Sequence, residues 1–379
     1  MKHPLFDPLR GVAALWVVVY HLQAGSPAVQ NVPLVSAVAG AGFLGVPMFF
    51  VISGFCLAAA ARRSIDEGKP ASDFMARRLW RIFPPFWCSA VLAAFLVPGF
   101  SPGFLGWLGV LTLGNIFDPS HERVLDRFKE LNGPYWSLAI EVQFYAVVAL
   151  ALLFRRRCFA VLAGATALSQ AAYLSPALLK SGAFLAFWLP FGLGLALHEA
   201  LRLGWTPDRL GVRLRVGGVV ALIALMLAVT LRGGWGYGFH PSGLTKGLPN
   251  VVAFAGLFTA FLWLAHDYDF AKRAPGWIAG PALLMGAMSY SIYLVHEPVQ
   301  VLLQSALRPW LGGSAVLFGA GVLAFTLLPC WVFYLLCERP FISTPKKRAV
   351  PAPVTGPRPE PRTSRAAHGG KRRRAAASI

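Results

Sequence analysis

Stretches of 16 to 24 mostly apolar residues recur along this chain, separated by clusters of Lys and Arg or by Gly- and Pro-rich breaks. A helix of about 20 apolar residues crosses the roughly 30 Å hydrocarbon core of a bilayer. Only 13% of the 379 residues are charged, against about a quarter in a soluble domain. The sequence therefore predicts an all-α polytopic membrane protein with about ten transmembrane helices embedded in a lipid bilayer. The predicted spans are 9–24, 43–61, 82–97, 135–154, 158–174, 182–200, 215–231, 249–266, 282–303 and 314–337.

The basic residues predict how these spans are oriented. With the N-terminus in the cytoplasm, all but seven of the 35 Lys and Arg residues lie in cytoplasmic segments, as the positive-inside rule requires. The apolar piece Phe104–Phe117 is too short to span, and counting it as a span would place Arg155, Arg156 and Arg157 outside. We therefore expect it to be re-entrant or interfacial, and both termini to be cytoplasmic.

Composition also limits the domains and partners. Residues 1–342 are predicted to form one transmembrane domain, and residues 343–379 a disordered basic tail with too little apolar surface to fold. The net charge of +19 is explained by the cytoplasmic clusters, so we expect no nucleic-acid partner. The five cysteines lie in apolar stretches without a CxxC pattern, which predicts neither disulfides nor a metal site. The N-terminal stretch loosely imitates a signal peptide, but its charged residues favour a retained span.

The first span carries an ionisable residue near each end, Arg10 and His21. Eleven helical steps of 100° end 20° past three full turns, so both side chains project from one face, roughly 16 Å apart along the axis. Asp7 lies close to the same stripe and is a candidate partner for Arg10. Ionisable groups inside a bilayer cost on the order of 2.5–3.5 kcal/mol, which favours a functional role. The alternative is a snorkelling arginine and an interfacial histidine.

Two further spans carry ionisable residues. Glu141 lies in NGPYWSLAIEVQFY (132–145) at an expected depth similar to that of His21, where a carboxylate would hold the imidazole in one tautomer. The alternative is a Glu hydrogen-bonded for packing. Arg78 and Arg81, at the inner end of the third span, share a helix face, and paired guanidinium groups bind phosphate. Basic residues are, however, common at cytoplasmic helix ends.

Two other stretches are unusual for lipid-facing helices. GVPMFFVISGF (45–55) places Ser53 and Gly54 inside the second span, where small residues permit close helix approach. SYSIYLVHEP (289–298) ends in His296 and Glu297 toward the outer side. Each stretch alone predicts a packing or interfacial feature rather than a catalytic one.

Taken in order, these motifs resemble the acyltransferase-3 family of integral membrane O-acyltransferases. The resemblance extends from about residue 5 to residue 342, which is nearly the whole chain apart from the tail. The motifs that carry it are the Arg10 and His21 pair, FFVISGF (49–55), RRLWRIFP (77–84), WSLAIEVQFY (136–145), SYSIYLVH (289–296) and Glu338-Arg339-Pro340.

The resemblance implies a function. It implies transfer of an acyl group, by default acetyl, from cytoplasmic acyl-CoA to a hydroxyl of an extracytoplasmic glycan or glycolipid, in a bacterial-type inner membrane. Acyl-CoA would be a co-substrate, with no permanently bound cofactor. By the same resemblance Arg10 and His21 take essential first-helix positions, and Arg78 and Arg81 take coenzyme-binding positions. Glu141 matches the acidic residue of a W-S-L-x-x-E motif.

The derived depths suggest a mechanism. The coenzyme phosphates would lie at Arg78 and Arg81, with Ser53 among the donor-binding residues and the pantetheine arm along the Arg10 stripe. His21 would then act as general base, or would accept the acyl group itself in a ping-pong route, and Glu141 would orient its ring. The rival hypotheses are a transporter of a glycan or lipid-linked substrate without chemistry, and a scaffold acting through the basic tail. The acceptor, the acyl chain length and the oligomeric state stay open.

Overall fold

The computed structural model describes residues 3–25, 33–97, 99–118, 127–171, 175, 177, 181–231 and 241–342. The predicted tail, 343–379, lies outside the described residues. Within the described ranges the regular structure is helical and contains no strand. The α-helices are α1 (Phe6–Gly25), α2 (Pro33–Gly40), α3 (Gly45–Asp66), α4 (Ala71–Leu96), α5 (Phe104–Leu111), α6 (Tyr135–Leu153), α7 (Cys158–Ala171), α8 (Trp188–Arg202), α9 (Val212–Leu231), α10 (Pro241–Leu264), α11 (Phe270–Arg273), α12 (Gly276–Ala287), α13 (Ser289–Leu311) and α14 (Ala315–Phe333).

Several of these helices are long and apolar enough to cross a membrane. Six described segments meet that criterion, and the bent pair formed by α12 and α13 adds a seventh if it is counted as one span. The predicted all-α, multi-pass membrane architecture is thus confirmed, whereas ten spans and cytoplasmic termini remain predictions. The six segments are Ser36–Asp66, Ala71–Leu96, Tyr135–Leu153, Phe184–Arg202, Val212–Leu231 and Ala315–Phe341.

The predicted ninth span, 282–303, is broken. The chain bends by 74° between α12 and α13, so that α13 begins afresh at Ser289. The first turn of a helix leaves backbone N–H groups without intrahelical acceptors, and here the buried Glu338 supplies one. Its Oε2 accepts from the Ser291 backbone N–H at 3.0 Å and from the Ser291 hydroxyl at 2.5 Å. A carboxylate at a helix N-terminus is also favoured by the helix dipole.

The short apolar piece 104–117 agrees with its prediction as a segment that does not span. It forms the eight-residue helix α5, followed by a 3₁₀ turn at Gly114–Phe117. At 1.5 Å per residue, eight residues cover only about 12 Å. The outward face of α5 is strongly apolar, since Phe104 and Leu105 are about four-fifths exposed. This combination suits a helix that lies in the bilayer without crossing it.

Glycines bring α3 and α8 into direct backbone contact. A Cβ on Gly54 would lie 2.0 Å from the carbonyl oxygen of Phe191, and one on Gly194 would lie 1.9 Å from that of Val51. The close approach predicted for the Ser53-Gly54 pair is therefore present. It fixes the rotation of α3, and with it the direction in which Ser53 projects.

We expect Gly54→Ala to destabilise the protein. The added methyl group meets a carbonyl oxygen that cannot move without separating α3 from α8, and overpacking of this kind costs about 1–3 kcal/mol. Gly256→Ala is the matched control, because nothing lies within 4 Å of a Cβ at that helical position. Thermal unfolding of the purified proteins in detergent should show a lower Tm for Gly54→Ala only. An unchanged Tm for this variant would contradict the close contact.

Candidate functional site

One cavity gathers five of the six residues that the sequence singled out for the site. It has an empty volume of about 540 Å³ and lies among α1, α3, α4, α6 and α13. We call it the lower cavity. Its lining includes Arg10, Ser53, Arg78, Arg81 and Glu141.

The lower cavity is strongly cationic. Arg78 and Arg81 project into it from successive turns of α4, and Arg10 joins them from α1. In the described part of the chain none of the three forms an ion pair or hydrogen bond with another residue. The rings of Phe74 and Tyr145 lie 5.7 and 6.0 Å from the Arg78 guanidinium. Three guanidinium groups facing a single carboxylate form a site for a ligand with more than one negative charge.

Glu141 belongs to this lower cavity. Its Oε1 accepts hydrogen bonds from the Ser53 hydroxyl at 2.7 Å and from the Tyr145 hydroxyl at 2.8 Å. Tyr145 lies one turn along α6 from Glu141, on the same helix face. The carboxylate therefore ties α6 to α3 next to the arginines.

The carboxylate beside His21 is that of Glu297. His21 Nδ1 lies 3.4 Å from Glu297 Oε1, and Glu297 Oε2 accepts from the Gly133 backbone N–H at 2.6 Å. The expected pairing of Glu141 with His21 is thus wrong, because Ser53 and Tyr145 engage Glu141 instead. The sequence drew attention to the His296-Glu297 dipeptide, but it was interpreted as a packing or interfacial feature. The sequence did indicate that this dipeptide lies near the outer end of a span, at about the same expected depth in the membrane as His21.

A second imidazole lies against His21. The ring of His296 is fully buried, and its centroid is 5.1 Å from that of His21. Its Nδ1 lies 2.9 and 3.0 Å from the carbonyl oxygens of Ile292 and Tyr293. Because carbonyl oxygens only accept hydrogen bonds, Nδ1 carries the proton and Nε2 presents a lone pair, which has no partner among the described residues.

A second cavity continues from the lower one toward His21. This upper cavity has an empty volume of about 460 Å³ and ends at Phe49 and Tyr293. The Tyr293 ring lies 6.1 Å from that of His296. A continuous series of side chains therefore leads from the arginines to His21. The two cavities share four lining residues, namely Arg10, Ser53, Glu141 and Tyr290.

A separate cluster of possible metal ligands lies where the loop between α8 and α9 meets the loop between α10 and α11. Asp208, His266 and Asp267 place their ligand atoms within 4.8 Å of one another. Arg215, however, forms an ion pair with Asp267 and lies 3.9 Å from Asp208. Its hydrogen bonds to Asp267 hold the pKa of that carboxyl below its ordinary value. Since the guanidinium already neutralises this carboxylate, the cluster acts as an ion-pair network that joins the two loops.

Comparisons with known proteins indicate the family of the chain. The family model described as "Acyltransferase domain" matches residues 5–335. The chain is 30% identical over 332 residues to the exopolysaccharide production protein ExoZ of Rhizobium meliloti (strain 1021), covering 83% of this chain and 94% of ExoZ. It is 26% identical over 345 residues to the O-acetyltransferase OatA of Staphylococcus aureus (strain NCTC 8325 / PS 47), covering 80% of this chain and 51% of OatA. No solved structure matches the chain. With a family model that spans almost all of the helical part, and a relative matched over most of both chains, this protein belongs to the acyltransferase-3 family of integral membrane O-acyltransferases.

Proposed function

We propose that this enzyme moves an acyl group from cytoplasmic acyl-CoA to a hydroxyl of an extracytoplasmic glycan or glycolipid. The observation that carries the proposal is the pair of linked cavities, which lead from three arginines to Phe49 and Tyr293, with the rings of His296 and His21 next along the same direction. Acetyl-CoA is the expected donor, as the family implies, and a bacterial-type inner membrane with both termini cytoplasmic is the expected setting. The names of ExoZ and OatA, one for exopolysaccharide production and one for O-acetyl transfer, support a polysaccharide acceptor.

The donor would bind in the lower cavity. Coenzyme A carries several negative charges on its phosphates, and Arg78 and Arg81 offer guanidinium groups that form no ion pair with a carboxylate of the described residues. Bidentate hydrogen bonds from arginine to phosphate are strong and directional. Arg10 lies at the junction of the two cavities, where it would meet the part of the donor that enters the upper one.

Chemistry would take place at His21. With Nδ1–H directed at Glu297, the Nε2 lone pair is left to remove the proton of the acceptor hydroxyl. The hydroxyl oxygen then forms a bond to the thioester carbonyl carbon, the carbon–sulfur bond breaks, and coenzyme A leaves as a thiol after taking the proton. In the ping-pong version Nε2 attacks the thioester first, and the acceptor removes the acyl group in a second step.

The experiment that tests this proposal uses the purified full chain in lipid vesicles with acetyl-CoA and a surface-glycan fraction. Release of the coenzyme A thiol, together with acetylated glycan detected by mass spectrometry, is the expected result. A transporter would release no thiol, so the lack of release with every acceptor fraction would overturn the assignment. Deletion of residues 343–379 should leave the activity largely intact, whereas a scaffold acting through the tail would lose its function.

The two carboxylates should behave differently when they are neutralised. We expect Glu297→Gln to lower kcat by roughly 10- to 10³-fold, as loss of an orienting carboxylate typically lowers general-base catalysis. Glu141→Gln should instead raise the KM for acyl-CoA, because this carboxylate fixes Ser53 and Tyr145 in the lower cavity. Steady-state kinetics with varied acyl-CoA separate the two effects. If Glu141→Gln lowered kcat and Glu297→Gln did not, the assignment of Glu297 to His21 would be wrong.

A further inference from the structure

The upper cavity changes character along its length. Near the lower cavity it is lined by Arg10, Ser53 and Glu141, whereas the opposite part is formed largely by apolar side chains of α3 and α6. A hydrocarbon chain is more favourable there than a phosphate, because burying an unpaired charge is costly. The apolar side chains are Val46, Phe49, Phe50 and Leu138.

Two aromatic rings close this apolar end. Phe49 from α3 and Tyr293 from α13 meet edge to face, with centroids 6.0 Å apart and planes at 71°. Behind Tyr293 stand the rings of His296 and then His21, with centroid separations of 6.1 and 5.1 Å. The direct path from the upper cavity to His21 therefore leads past Tyr293 and the Phe49 ring that packs against it.

Tyr293 is the fixed member of this pair. It is 8% exposed, and its hydroxyl lies 2.8 Å from the Pro134 carbonyl oxygen and 2.5 Å from the Ser137 hydroxyl. The carbonyl oxygen can only accept, so the Tyr293 hydroxyl donates to Pro134 and accepts from Ser137. Turning the ring would break both bonds and leave buried polar groups unpaired, which is costly.

Phe49 is the member that can yield. Its side chain is only partly buried, and as a hydrocarbon ring it has no hydrogen bond to lose. Its neighbour Phe50 is fully packed, with its ring 5.2 Å from that of Phe144. Of the two consecutive phenylalanines that line the upper cavity, only Phe49 is paired with Tyr293.

We propose that Phe49 closes the donor passage against Tyr293 and thereby limits the transferred group to a short acyl chain. The proposal deepens the proposed function and rests on it. Acetyl needs only a small displacement of the Phe49 ring, whereas every further methylene must be placed between this ring and the immobile Tyr293. A single methylene in a close-fitting pocket changes kcat/KM by roughly 10- to 200-fold. The rings of Phe49 and Tyr293 therefore favour acetyl over butanoyl as the transferred group. The closed pair also keeps water away from the thioester.

The test compares acetyl-CoA with butanoyl-CoA as donors for the purified full chain in lipid vesicles with a surface-glycan fraction. We expect Phe49→Ala to raise the ratio of kcat/KM for butanoyl-CoA to that for acetyl-CoA by about tenfold or more. It should also raise thiol release in the absence of glycan, as water gains access to the thioester. Phe55→Ala is the matched control, since it removes a ring from the same helix α3, packs against Phe6 and His198, and lines neither cavity, so its ratio should stay at the wild-type value.

Several outcomes would contradict the proposal that Phe49 limits the length of the transferred acyl chain. An unchanged ratio in Phe49→Ala, or an equal shift in Phe55→Ala, would show that Phe49 does not select the acyl group. If Phe49→Ala does not fold, Phe49→Leu replaces it, and we expect a smaller shift of the ratio in the same direction. An unchanged ratio in Phe49→Leu would again contradict the proposal. Lack of thiol release from the wild-type protein with both donors would instead overturn the proposed function itself, and these two failures are distinguishable.

Discussion

Replacing His21 with alanine is expected to lower the rate of acyl transfer by about 10²–10⁴-fold, the usual contribution of a positioned general base. The larger figure applies if the imidazole also carries the acyl group. Acyl-CoA binding should be retained, because the arginines line the lower cavity, which His21 does not. The effect should therefore be confined to kcat, with little change in the KM for acyl-CoA.

The measurement is thiol release and glycan acylation by the purified variant at matched expression, alongside binding of coenzyme A by calorimetry. His266→Ala is a suitable control, because this histidine lies in the ion-pair network with Asp208, away from the two cavities. Labelled acyl groups trapped on the wild-type protein, and lost in His21→Ala, would select the ping-pong route. Normal transfer by His21→Ala would sink the assignment of the reaction centre.

The placement of Arg10 and His21 could be predicted because it depends on one helix alone. The helical period fixes which side chains share a face and how far apart they lie along the axis, and α1 is helical from Phe6 to Gly25. The shared face of Arg78 and Arg81 follows from the same local rule. These predictions needed no knowledge of neighbouring helices, and the lower cavity contains three of these four residues.

The partner of His21 could not be predicted in this way. Glu141 and Glu297 both lie in apolar spans at plausible depths, and the choice depends on how α1, α6 and α13 pack together. That packing is set by backbone contacts between distant segments. One of them is the approach of α12 to α1, where a Cβ on Gly286 would lie 1.9 Å from the carbonyl oxygen of Asp7. No local periodicity carries this information.

The bend before α13 was missed for a related reason. Apolar residues continue through Gly286 and Met288, so the mean hydropathy over this stretch predicts one uninterrupted span. The group that makes the break favourable is Glu338, which lies 47 residues after Ser291 in the chain and accepts its hydrogen bonds. The sequence offered Glu338 only as part of a motif, with no indication of its partner.

Removing the guanidinium groups of the lower cavity should weaken donor binding. Charge-assisted hydrogen bonds contribute about 1.5–3 kcal/mol each, so Arg78→Ala and Arg81→Ala should each raise the KM for acyl-CoA by roughly 10- to 150-fold. The double variant should raise it further, by about 10²–10⁴-fold if the effects add. Turnover at saturating donor should change much less, because His21 and Glu297 remain in place.

Arg77→Ala separates specific phosphate binding from a general attraction of anions to this end of α4. Arg77 is adjacent in sequence, yet it faces outward, 3.8 Å from Asp73 and 3.4 Å from the Ser64 hydroxyl. If binding is bidentate, Arg77→Ala should leave the KM for acyl-CoA nearly unchanged, and Arg78→Lys should recover only part of the loss, because lysine keeps the charge but not the planar fork. An equal rise of the KM for acyl-CoA in all three single alanine variants would mean that the arginines attract the donor only through their summed positive charge. The assignment of the coenzyme site to the lower cavity would then be wrong. The three variants are matched because all three arginines lie on α4, while only Arg78 and Arg81 line the lower cavity.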